Sequence, residues 1–475
     1  MPLTNTNMKQ DYNPESFRDS ISTVDEQGKR VWVYPKKPSG RYYNARTWLS
    51  YGLLAFLFTA PFIHINGNPI MLLNIFERKF VILGIPFLPQ DFHLFVLAMI
   101  SFIVFIILFT VVYGRLFCGW VCPQTIFMEM VFRKIEYWIE GDATQQRKLN
   151  KQPWDKEKII KKVSKQVIFF GIAFLIANTF MAYLVGREMW FNIVTHPPTD
   201  HLIGFIALNV FSLAFYGVFS VVREQVCTTI CPYGRLQGVL LDKDSIVIAY
   251  DHVRGEPRGK LEKGVPEELR KHGDCIDCGL CVQVCPTAID IRNGTQLECV
   301  NCTACIDACD EVMDKIEKPR GLIRYASYNN IVNKTKFSFT PRIIAYSVVL
   351  VVLLGVFSFA LLGRTEIETT ILRTPGTLFQ ETKEGNIVNI YNIQVANKTT
   401  NELIFHLKLE GAINGKLKLI KNERTIAKQG VFDSALLIEI PKENLKKRKT
   451  EIEIGVYKND KKIDNVTTHF IGPMK

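Results

Sequence analysis

The sequence has no cysteine before Cys118 or after Cys309, although twelve cysteines lie between these limits. Disulfide frameworks are typical of small secreted domains, so cysteines confined to the middle of a 475-residue chain argue against one. No C-x-x-C-H string occurs, which excludes the usual attachment site of a c-type haem. The cysteines are therefore candidates for metal or redox chemistry.

Charged side chains are absent from five apolar runs. Each run is close to the ~20 residues that a helix needs to cross a bilayer. Helices buried in a soluble core are the alternative, but five charge-free runs flanked by basic residues favour the membrane. The five predicted transmembrane helices cover residues 47–65, 92–113, 166–186, 201–222 and 343–362.

A sixth apolar stretch, residues 69–89, is interrupted by Glu77, Arg78 and Lys79. The pieces on either side of these charges are too short to span a bilayer. We expect an interfacial or re-entrant element here.

The distribution of lysine and arginine predicts the orientation of the chain. Eight of these residues precede Thr47, two lie in the first loop, and eleven lie between Arg115 and Lys165. One lies in the short loop between Gly186 and the fourth span. Basic residues accumulate on the cytoplasmic side, so the N terminus is expected inside and the part after residue 362 outside. This orientation places every cysteine in or beside the reducing cytoplasm.

Two polar segments are expected on the cytoplasmic side. Residues 1–45 lack apolar periodicity, which predicts a disordered tail whose basic residues set the topology and do not bind nucleic acid. Residues 148–165 are a charged connector, expected to be helical and to lie along the inner membrane surface.

After residue 365 the pattern changes to short alternating runs. Ile452, Ile454 and Val456 alternate with other residues as in a half-buried strand, and residues 458–460 are typical of a hairpin turn. Several such strands in about a hundred residues predict an immunoglobulin-like β-sandwich. It has no catalytic constellation, so docking onto a partner is its expected role. The predicted strands are 387–395, 402–409, 416–419, 435–440, 450–457 and 465–470.

Eight of the cysteines form two consecutive runs with the spacing C-x2-C-x2-C-x3-C. Bacterial ferredoxins with two [4Fe-4S] clusters have this spacing, and each run gives three thiolates to one cluster and its fourth to the other. Zinc is the alternative, but it usually binds two separated C-x2-C pairs. The first cluster is predicted at Cys275, Cys278, Cys281 and Cys309, and the second at Cys299, Cys302, Cys305 and Cys285.

The two runs differ after their last cysteine. Pro286 follows Cys285 as in bacterial ferredoxins, whereas Asp310 follows Cys309. We expect either a different turn after Cys309 or a shift of cluster potential by the nearby carboxylates.

The other four cysteines form an internal repeat, because the second and fourth spans each end in C-x3-C-P. Positions i and i+4 share one face of a helix, so the four thiols are expected to converge at the inner membrane boundary. Arg115, Arg223 and Arg235 are expected to lower the pKa values of these thiols. We call these residues the CxxxCP quartet: Cys118, Cys122, Cys227 and Cys231.

Several interpretations of the CxxxCP quartet stay open at this point. They are a shared four-thiolate site, an additional cluster, a transient soft-metal site and a redox-active thiol pair, and copper suits such thiolates. Ordinary buried cysteines are the structural alternative, and the repeated Cys-Pro argues against it. Copper or haem ligands are also conceivable near other span ends, although local hydrogen bonding is the interpretation that we prefer there. These residues are His64, His93, His196, His201, Met71 and Met189.

Two strings, together with the double ferredoxin run and the β-rich tail, resemble the family of the cytochrome c oxidase accessory protein CcoG, also called FixG or RdxA. The strings are Cys118-Gly-Trp-Val-Cys122-Pro123 and Cys227-Thr-Thr-Ile-Cys231-Pro232-Tyr-Gly-Arg-Leu-Gln. The resemblance covers most of the chain from about Lys36 onward. It implies a bacterial inner-membrane protein of cbb-type oxidase assembly that reduces Cu(II) to Cu(I) for copper delivery, with the eight ferredoxin cysteines as cluster ligands.

The sequence therefore predicts a multi-domain integral membrane protein with α-helical spans, a cytoplasmic two-cluster ferredoxin domain and a periplasmic immunoglobulin-like sandwich. The CxxxCP quartet is its candidate catalytic site, holding copper or a third cluster. Expected partners are a cytoplasmic electron donor, copper ions, a copper-transporting ATPase, cbb-type oxidase subunits and a second copy of the chain. A quinol-linked electron carrier and a redox-sensing assembly scaffold are the alternative functions. The predicted domains are 1–45 (tail), 46–245 (membrane domain), 246–335 (ferredoxin), 343–362 (fifth span) and 365–475 (sandwich).

Overall fold

The chain is described by a computed structural model and divides into two compact units. The first comprises the chain up to Thr59, Ile100–Met181 and Met189–Val352, and the second comprises Ala60–Met99, Ala182–Glu188 and the chain from Leu353 onward. The described residues are 23–25, 27–65, 67–76, 79–87, 89–260, 272–334, 339–365, 367–376, 378–382, 384–399, 401–411, 414–421, 424–445, 447–458 and 461–473.

Among the described residues, four helices are long and apolar enough to cross a membrane. They confirm four of the five predicted spans. Their surfaces expose large apolar side chains such as Phe102, Ile203 and Val351, which is the pattern expected of helices that face lipid. The four helices are Phe92–Tyr113, Lys156–Val185, Leu202–Val222 and Pro341–Leu362.

The predicted first span corresponds to a 19-residue helix, Arg41–Thr59, which begins and ends six residues earlier than expected. Asp307 caps the first turn of this helix by accepting hydrogen bonds from the backbone N–H groups of Tyr42 (3.1 Å) and Tyr43 (2.8 Å). This cap explains the early start, because the first N–H groups of a helix need acceptors from outside it. A fifth membrane crossing stays a prediction.

The charged connector differs from our expectation. A separate helix, Ala143–Lys151, is followed by a break, and the next helix begins at Lys156 and continues without interruption to Val185. Lys158 donates to the carbonyl oxygen of Asn150 at 3.0 Å, so a lysine at the start of the long helix satisfies the end of the preceding one. Residues 156–165 therefore extend the span and do not form a separate surface helix.

Residues 23–40 make specific contacts, which differs from the disordered tail expected through residue 45. Arg30 pairs with Glu224 at 3.0 Å, and the backbone N–H of Lys36 donates to the carbonyl oxygen of Gln283 at 2.8 Å. Asn150 donates to the hydroxyl of Tyr34 at 2.6 Å. Residues 1–22 lie outside the described residues.

The stretch 69–89, for which an interfacial or re-entrant location stays a prediction, contains three antiparallel strands, Met71–Asn74, Lys79–Ile82 and Ile85–Phe87. Leu72 and Val81 are buried partners in the register of the first two strands. Of the three charged residues that interrupt the apolar run, Lys79 begins the second strand, and Glu77 and Arg78 lie outside the described residues.

The C-terminal part forms the predicted immunoglobulin-like domain. One sheet has the order Lys416–Leu419, Val431–Pro441, Asn386–Asn397 and Ile367–Arg373, with Gln380–Glu381 paired to the long third strand. A second sheet has the order His406–Glu410, Lys449–Lys458 and Lys461–Ile471. All six predicted strands have counterparts, but the predicted strand 402–409 is divided into Leu403–Ile404, which pairs with Thr425–Ile426, and His406–Glu410 of the second sheet. The described strands that the sequence did not predict in this domain are Ile367–Arg373, Gln380–Glu381 and Thr425–Ile426.

Both sheets contribute to one apolar core. Tyr391 and Ile438 from the first sheet and Ile454 and Phe470 from the second are fully buried. Lys458 pairs with Lys461 in the register, so the two strands form a hairpin whose turn residues 459–460 lie outside the described residues. Alternating burial along these strands gives the domain the single core of a sandwich.

Candidate iron-sulfur and thiol sites

The two ferredoxin runs have the same local backbone. In each run, the residues before and after the second cysteine have positive φ: Asp277 (51°) and Gly279 (68°) in the first, Asn301 (53°) and Thr303 (65°) in the second. A short helix follows in both, beginning at Leu280 and at Ala304. The second run adopts the left-handed conformation with a β-branched threonine where the first has glycine, which is unfavourable for an isolated residue.

The runs diverge after their fourth cysteine, as the residue change predicted. The first helix, Leu280–Gln283, ends before Cys285-Pro286, whereas the second, Ala304–Lys315, continues through Cys309 and Asp310. Proline has no N–H and cannot continue a helix, while aspartate can. The continued helix lets Asp310 accept a hydrogen bond from the backbone N–H of Gly321 at 3.0 Å.

Folding brings the eight ferredoxin cysteines to two cavities. Cys275, Cys278, Cys281 and Cys309 line one cavity with apolar residues such as Leu322. The other is lined by Cys285, Cys299, Cys302 and Cys305, and Cys281 lines both cavities. Each cavity thus combines three cysteines of one run with the fourth of the other, and four thiols in an apolar setting are a donor set that fits a [4Fe-4S] cubane.

One antiparallel pair of strands, Val247–Tyr250 with Ile323–Ala326, flanks the two cysteine runs in the sequence. Ile248 lines one cavity, and Tyr250 and Ile323 line the other. The strands therefore position apolar side chains against both thiol groups. Of the eight cysteines, only Cys278 is exposed.

The CxxxCP quartet is not arranged on two continuous helices, so the one-face argument from sequence is wrong in detail. Cys118 lies in the short helix Leu116–Trp120, and Cys122 is the N-cap of a new helix that starts at Pro123. Cys227 lies in a π-helical turn, Val226–Ile230, and Cys231 is the N-cap of the helix that starts at Pro232. Proline is favoured at the first position of a helix, which explains the restart after each Cys-Pro.

The quartet nevertheless converges. Cys227 lies close enough to Cys118, Cys122 and Cys231 for the four thiols to interact electrostatically. Gln237, which is fully buried on the helix after the second motif, donates to the sulfur of Cys118 at 3.5 Å. The sequence did not indicate that Gln237 connects the two motifs, although Gln237 is the last residue of the second string that resembles the family.

Burial outweighs the activation by arginine that was expected at Cys118 and Cys227, and the side chain of Arg235 lies outside the described residues. Burial raises the pKa of Cys118 to about 11 and that of Cys227 to about 12. Arg115 lowers the pKa of Cys118 by less than burial raises it, and its guanidinium donates to the carbonyl oxygen of Gly234. Arg223 is engaged by Glu136, at 2.5 and 2.7 Å. Cys118 and Cys227 are thus protonated at neutral pH unless a metal binds them as thiolates.

The described residues contain no group of three or more histidine, cysteine or acidic side chains close enough to hold a single metal ion. Two of the histidines near the other span ends have local partners, since a ring nitrogen of His64 lies 3.0 Å from the carbonyl oxygen of Phe62 and one of His196 lies 3.1 Å from that of Asn192.

Comparison with protein families agrees with this architecture. Residues 222–328 match the 4Fe-4S dicluster domain, residues 95–141 match a 4Fe-4S binding domain, and residues 357–473 match the IG-like fold at the C-terminus of FixG. The chain is therefore a membrane-embedded, ferredoxin-type iron-sulfur protein that transfers electrons.

Three curated relatives define the family. RdxB of Cereibacter sphaeroides is 33% identical over 410 residues, which is 81% of this chain and 85% of RdxB. RdxA of the same organism is 32% identical, covering 81% of this chain and 83% of RdxA. The nitrogen fixation protein FixG of Rhizobium meliloti is 29% identical, covering 81% of this chain and 80% of FixG. The chain belongs to the FixG/RdxA family.

Proposed function

We propose that this protein reduces Cu(II) to Cu(I) for the assembly of a cbb-type oxidase, using electrons from the cytoplasm. The observation that carries the proposal is the succession of three sulfur sites. They are the cavity that includes the exposed Cys278 (the exposed cavity), the cavity that includes Cys285, Cys299, Cys302 and Cys305 (the buried cavity), and the CxxxCP quartet. Cys118 and Cys227 of the quartet pack against the apolar group that contains Cys302 of the buried cavity. Sulfur ligands therefore continue from the ferredoxin domain to the ends of two membrane helices.

The eight ferredoxin cysteines are proposed as the ligands of two [4Fe-4S] clusters, in the grouping by cavity described above. Such clusters supply one-electron carriers when bound. The chain provides burial that excludes water from Cys302 and Cys305, whereas Cys278 is exposed and gives a donor access. In the net reaction, one low-potential cytoplasmic donor equivalent loses one electron for each Cu(II) that becomes Cu(I).

The CxxxCP quartet is proposed as the site through which electrons leave the ferredoxin domain. Its metal content decides between the two occupants expected from the sequence. About twelve irons per chain, with matching acid-labile sulfide, mean a third cluster at the quartet, whereas about eight irons with bound copper mean a copper site. Cys227→Ser is the informative variant, since it removes a thiol that interacts with the three others.

We also propose five spans, with the N terminus in the cytoplasm and the immunoglobulin-like domain in the periplasm of the inner membrane. Basic residues before Thr47 and between Arg115 and Lys165 support this orientation. Labelling of a cysteine introduced at an exposed position such as Lys449 from the outside of intact cells tests the orientation.

A chelator assay tests the catalytic proposal. Anaerobically purified, cluster-loaded protein reduced by dithionite and then freed of excess reductant should convert Cu(II) to chelated Cu(I). Cys278→Ser and Cys302→Ser should each abolish the reaction, because each removes a ligand of one cavity. Reduced wild type that does not react with Cu(II) but is reoxidised by a quinone analogue would identify a quinol-linked carrier instead.

Assembly in cells separates reduction from scaffolding. A protein truncated after Thr365 lacks the immunoglobulin-like domain, which we propose docks onto oxidase subunits or a copper-transporting ATPase. Oxidase maturation that survives Cys278→Ser with Cys302→Ser but fails with the truncation would assign the protein a scaffold role. Loss of maturation with both changes supports a reductase that also docks.

A further inference from the structure

Arg46 lies between the buried cavity and the CxxxCP quartet. Its side chain is 5% exposed, and its guanidinium makes two hydrogen bonds to backbone carbonyl oxygens. Nε donates to Gly119 at 2.9 Å, and Nη1 donates to Cys302 at 2.7 Å. Gly119 directly follows Cys118, so one planar group holds the loop of the first CxxxCP motif against a cysteine of the buried cavity. The rigid fork of arginine suits such a two-point contact.

The two loops approach each other so closely that no side chain fits between them. A Cβ atom at Gly119 would overlap the carbonyl oxygen of Asn301 and lie 2.7 Å from that of Val300. Trp120 extends the contact, since its indole N–H donates to the hydroxyl of Tyr325 at 3.0 Å. Glycine at position 119 is therefore a packing requirement of this contact and is not needed for backbone flexibility.

The two ferredoxin cavities differ in the charges around them. Arg46 and Arg115 act electrostatically on the cysteines of the buried cavity, opposed by Glu129. Around the exposed cavity, Arg292 is opposed by Asp290 and Asp310. The guanidinium of Arg46 is bound by carbonyl oxygens and has no ion pair among the described residues, whereas Arg292 beside the exposed cavity pairs with Asp290 at 2.7 Å. Positive charge stabilises the reduced, more negative state of a cluster and raises its reduction potential.

We propose that Arg46 is a positioning residue that fixes the Cys302 loop against the Cys118 loop, and that its buried charge raises the reduction potential at the buried cavity above that at the exposed one. The inference rests on the proposed binding of two clusters. An electron received at the exposed cavity would then move toward the quartet, oxidising the first cluster by one electron and reducing the second by one.

Potentiometric EPR titration of the full-length, cluster-loaded protein tests the charge. Cys278→Ser should alter the EPR signal of the cluster in the exposed cavity, and Cys302→Ser that of the cluster in the buried cavity, so the two variants assign the signals. Arg46→Met should lower the midpoint potential of the cluster in the buried cavity and leave that of the cluster in the exposed cavity unchanged. Arg46→Lys keeps the positive charge, so its buried cluster should have a potential close to that of the wild type. Arg292→Met is the matched control, because it should lower only the potential of the exposed cluster. Arg292 lies beside Cys281 and pairs with Asp290 at 2.7 Å.

Unchanged potentials in Arg46→Met at full iron content would overturn the proposal. If Arg46→Met loses iron, Arg46→Gln takes its place, since glutamine can donate to one of the two carbonyls without a charge. A wild-type potential of the buried cluster in that variant overturns the proposal equally. The midpoint potentials are measured without copper, so their outcome is independent of whether the protein reduces Cu(II).

Gly119→Ala tests the close contact without changing any charge. Both midpoint potentials should stay at their wild-type values, while reoxidation of the reduced clusters by Cu(II) should become slower. Gly217→Ala is the matched control, because a Cβ atom there meets no atom within 4 Å. Equal reoxidation rates in wild type, Gly119→Ala and Gly217→Ala would show that the loop contact does not carry the electron.

Discussion

Lys398 of the immunoglobulin-like domain places its ammonium nitrogen 2.6 Å from the carboxylate of Asp91, at the start of the span Phe92–Tyr113. Both side chains are almost fully buried, at 4% and 1% exposed. Arg364, just after the span Pro341–Leu362, pairs with the same carboxylate at 2.7 Å. One carboxylate thus joins two membrane helices and the domain that follows them.

Asp91→Asn should destabilise this junction strongly. The substitution leaves Arg364 without its carboxylate and Lys398 with Glu368 as its remaining anion, and breaking a buried pair from one side costs about 3–5 kcal/mol. Native-state proteolysis of the C-terminal domain measures the effect. Glu381→Gln is the control, because its pair with Lys442 is about half exposed and is expected to contribute about 0–1 kcal/mol. Similar proteolysis rates in the two variants would contradict the proposed junction.

The same carboxylate predicts a pH dependence. Burial alone would raise the pKa of Asp91, but hydrogen bonds from Arg364 and Lys398 outweigh it and lower the pKa below its usual value. A lowered pKa in the folded state stabilises the protein above the unfolded pKa of about 3.9 and loses that contribution as the pH falls through the lower value. Protease resistance should therefore not change through Asp91 between pH 7 and about 4 and should fall below that range. Asp91→Asn should lack this acid step, and a step near pH 6 in the wild type that the variant abolishes would contradict the assignment.

Glu136 and Arg223 form a buried pair beside the second CxxxCP motif. Burial opposes ionisation of Glu136, but the charge and hydrogen bonds of Arg223 lower its pKa to about 2. Glu136→Gln should cost about 3–5 kcal/mol, because Arg223 keeps its buried charge. The double variant with Arg223→Met should cost less than the sum of the two single changes. Thermal unfolding in detergent measures the cycle, with Glu311→Gln of the exposed pair Glu311–Lys315 as the control.

Asp307 connects the ferredoxin helix to the first helix through the backbone N–H groups of Tyr42 and Tyr43. Asp307→Ala should cost about 0.5–2 kcal/mol, which is typical of a lost N-cap, and Asp307→Asn should cost less. Hydrogen exchange should become faster for the amides of the first turn of Arg41–Thr59 in Asp307→Ala. Unchanged exchange there, with intact iron content, would show that the cap is not needed.

The sequence predicted the parts of this protein that depend on local pattern. Charge-free runs predict four of the helices, because a span must keep charged side chains out of the hydrocarbon. Cysteine spacing predicts the grouping of Cys285 with the second run, because that spacing reflects the geometry of two adjacent cubanes. Alternation predicts six strands of the C-terminal domain, where one face of each strand is buried.

The parts that depend on distant contacts were not predictable in this way. The start of the first helix depends on Asp307, which lies more than 250 positions away along the chain. The role of Arg46 was hidden because a basic residue before an apolar run is also what topology requires. The helix breaks inside the CxxxCP motifs were missed because the i, i+4 argument assumes a continuous helix.

The helix Ala304–Lys315, which continues past Cys309, contacts the first helix through Asp307. A fragment containing only residues 246–335 would leave Asp307 exposed to solvent and would lack Arg46. Its clusters would sit in a different field and a different degree of hydration from those in the intact chain. Voltammetry on an excised soluble fragment would therefore report potentials of another electrostatic environment, and quantitative work on this family requires the ferredoxin with its membrane helices attached.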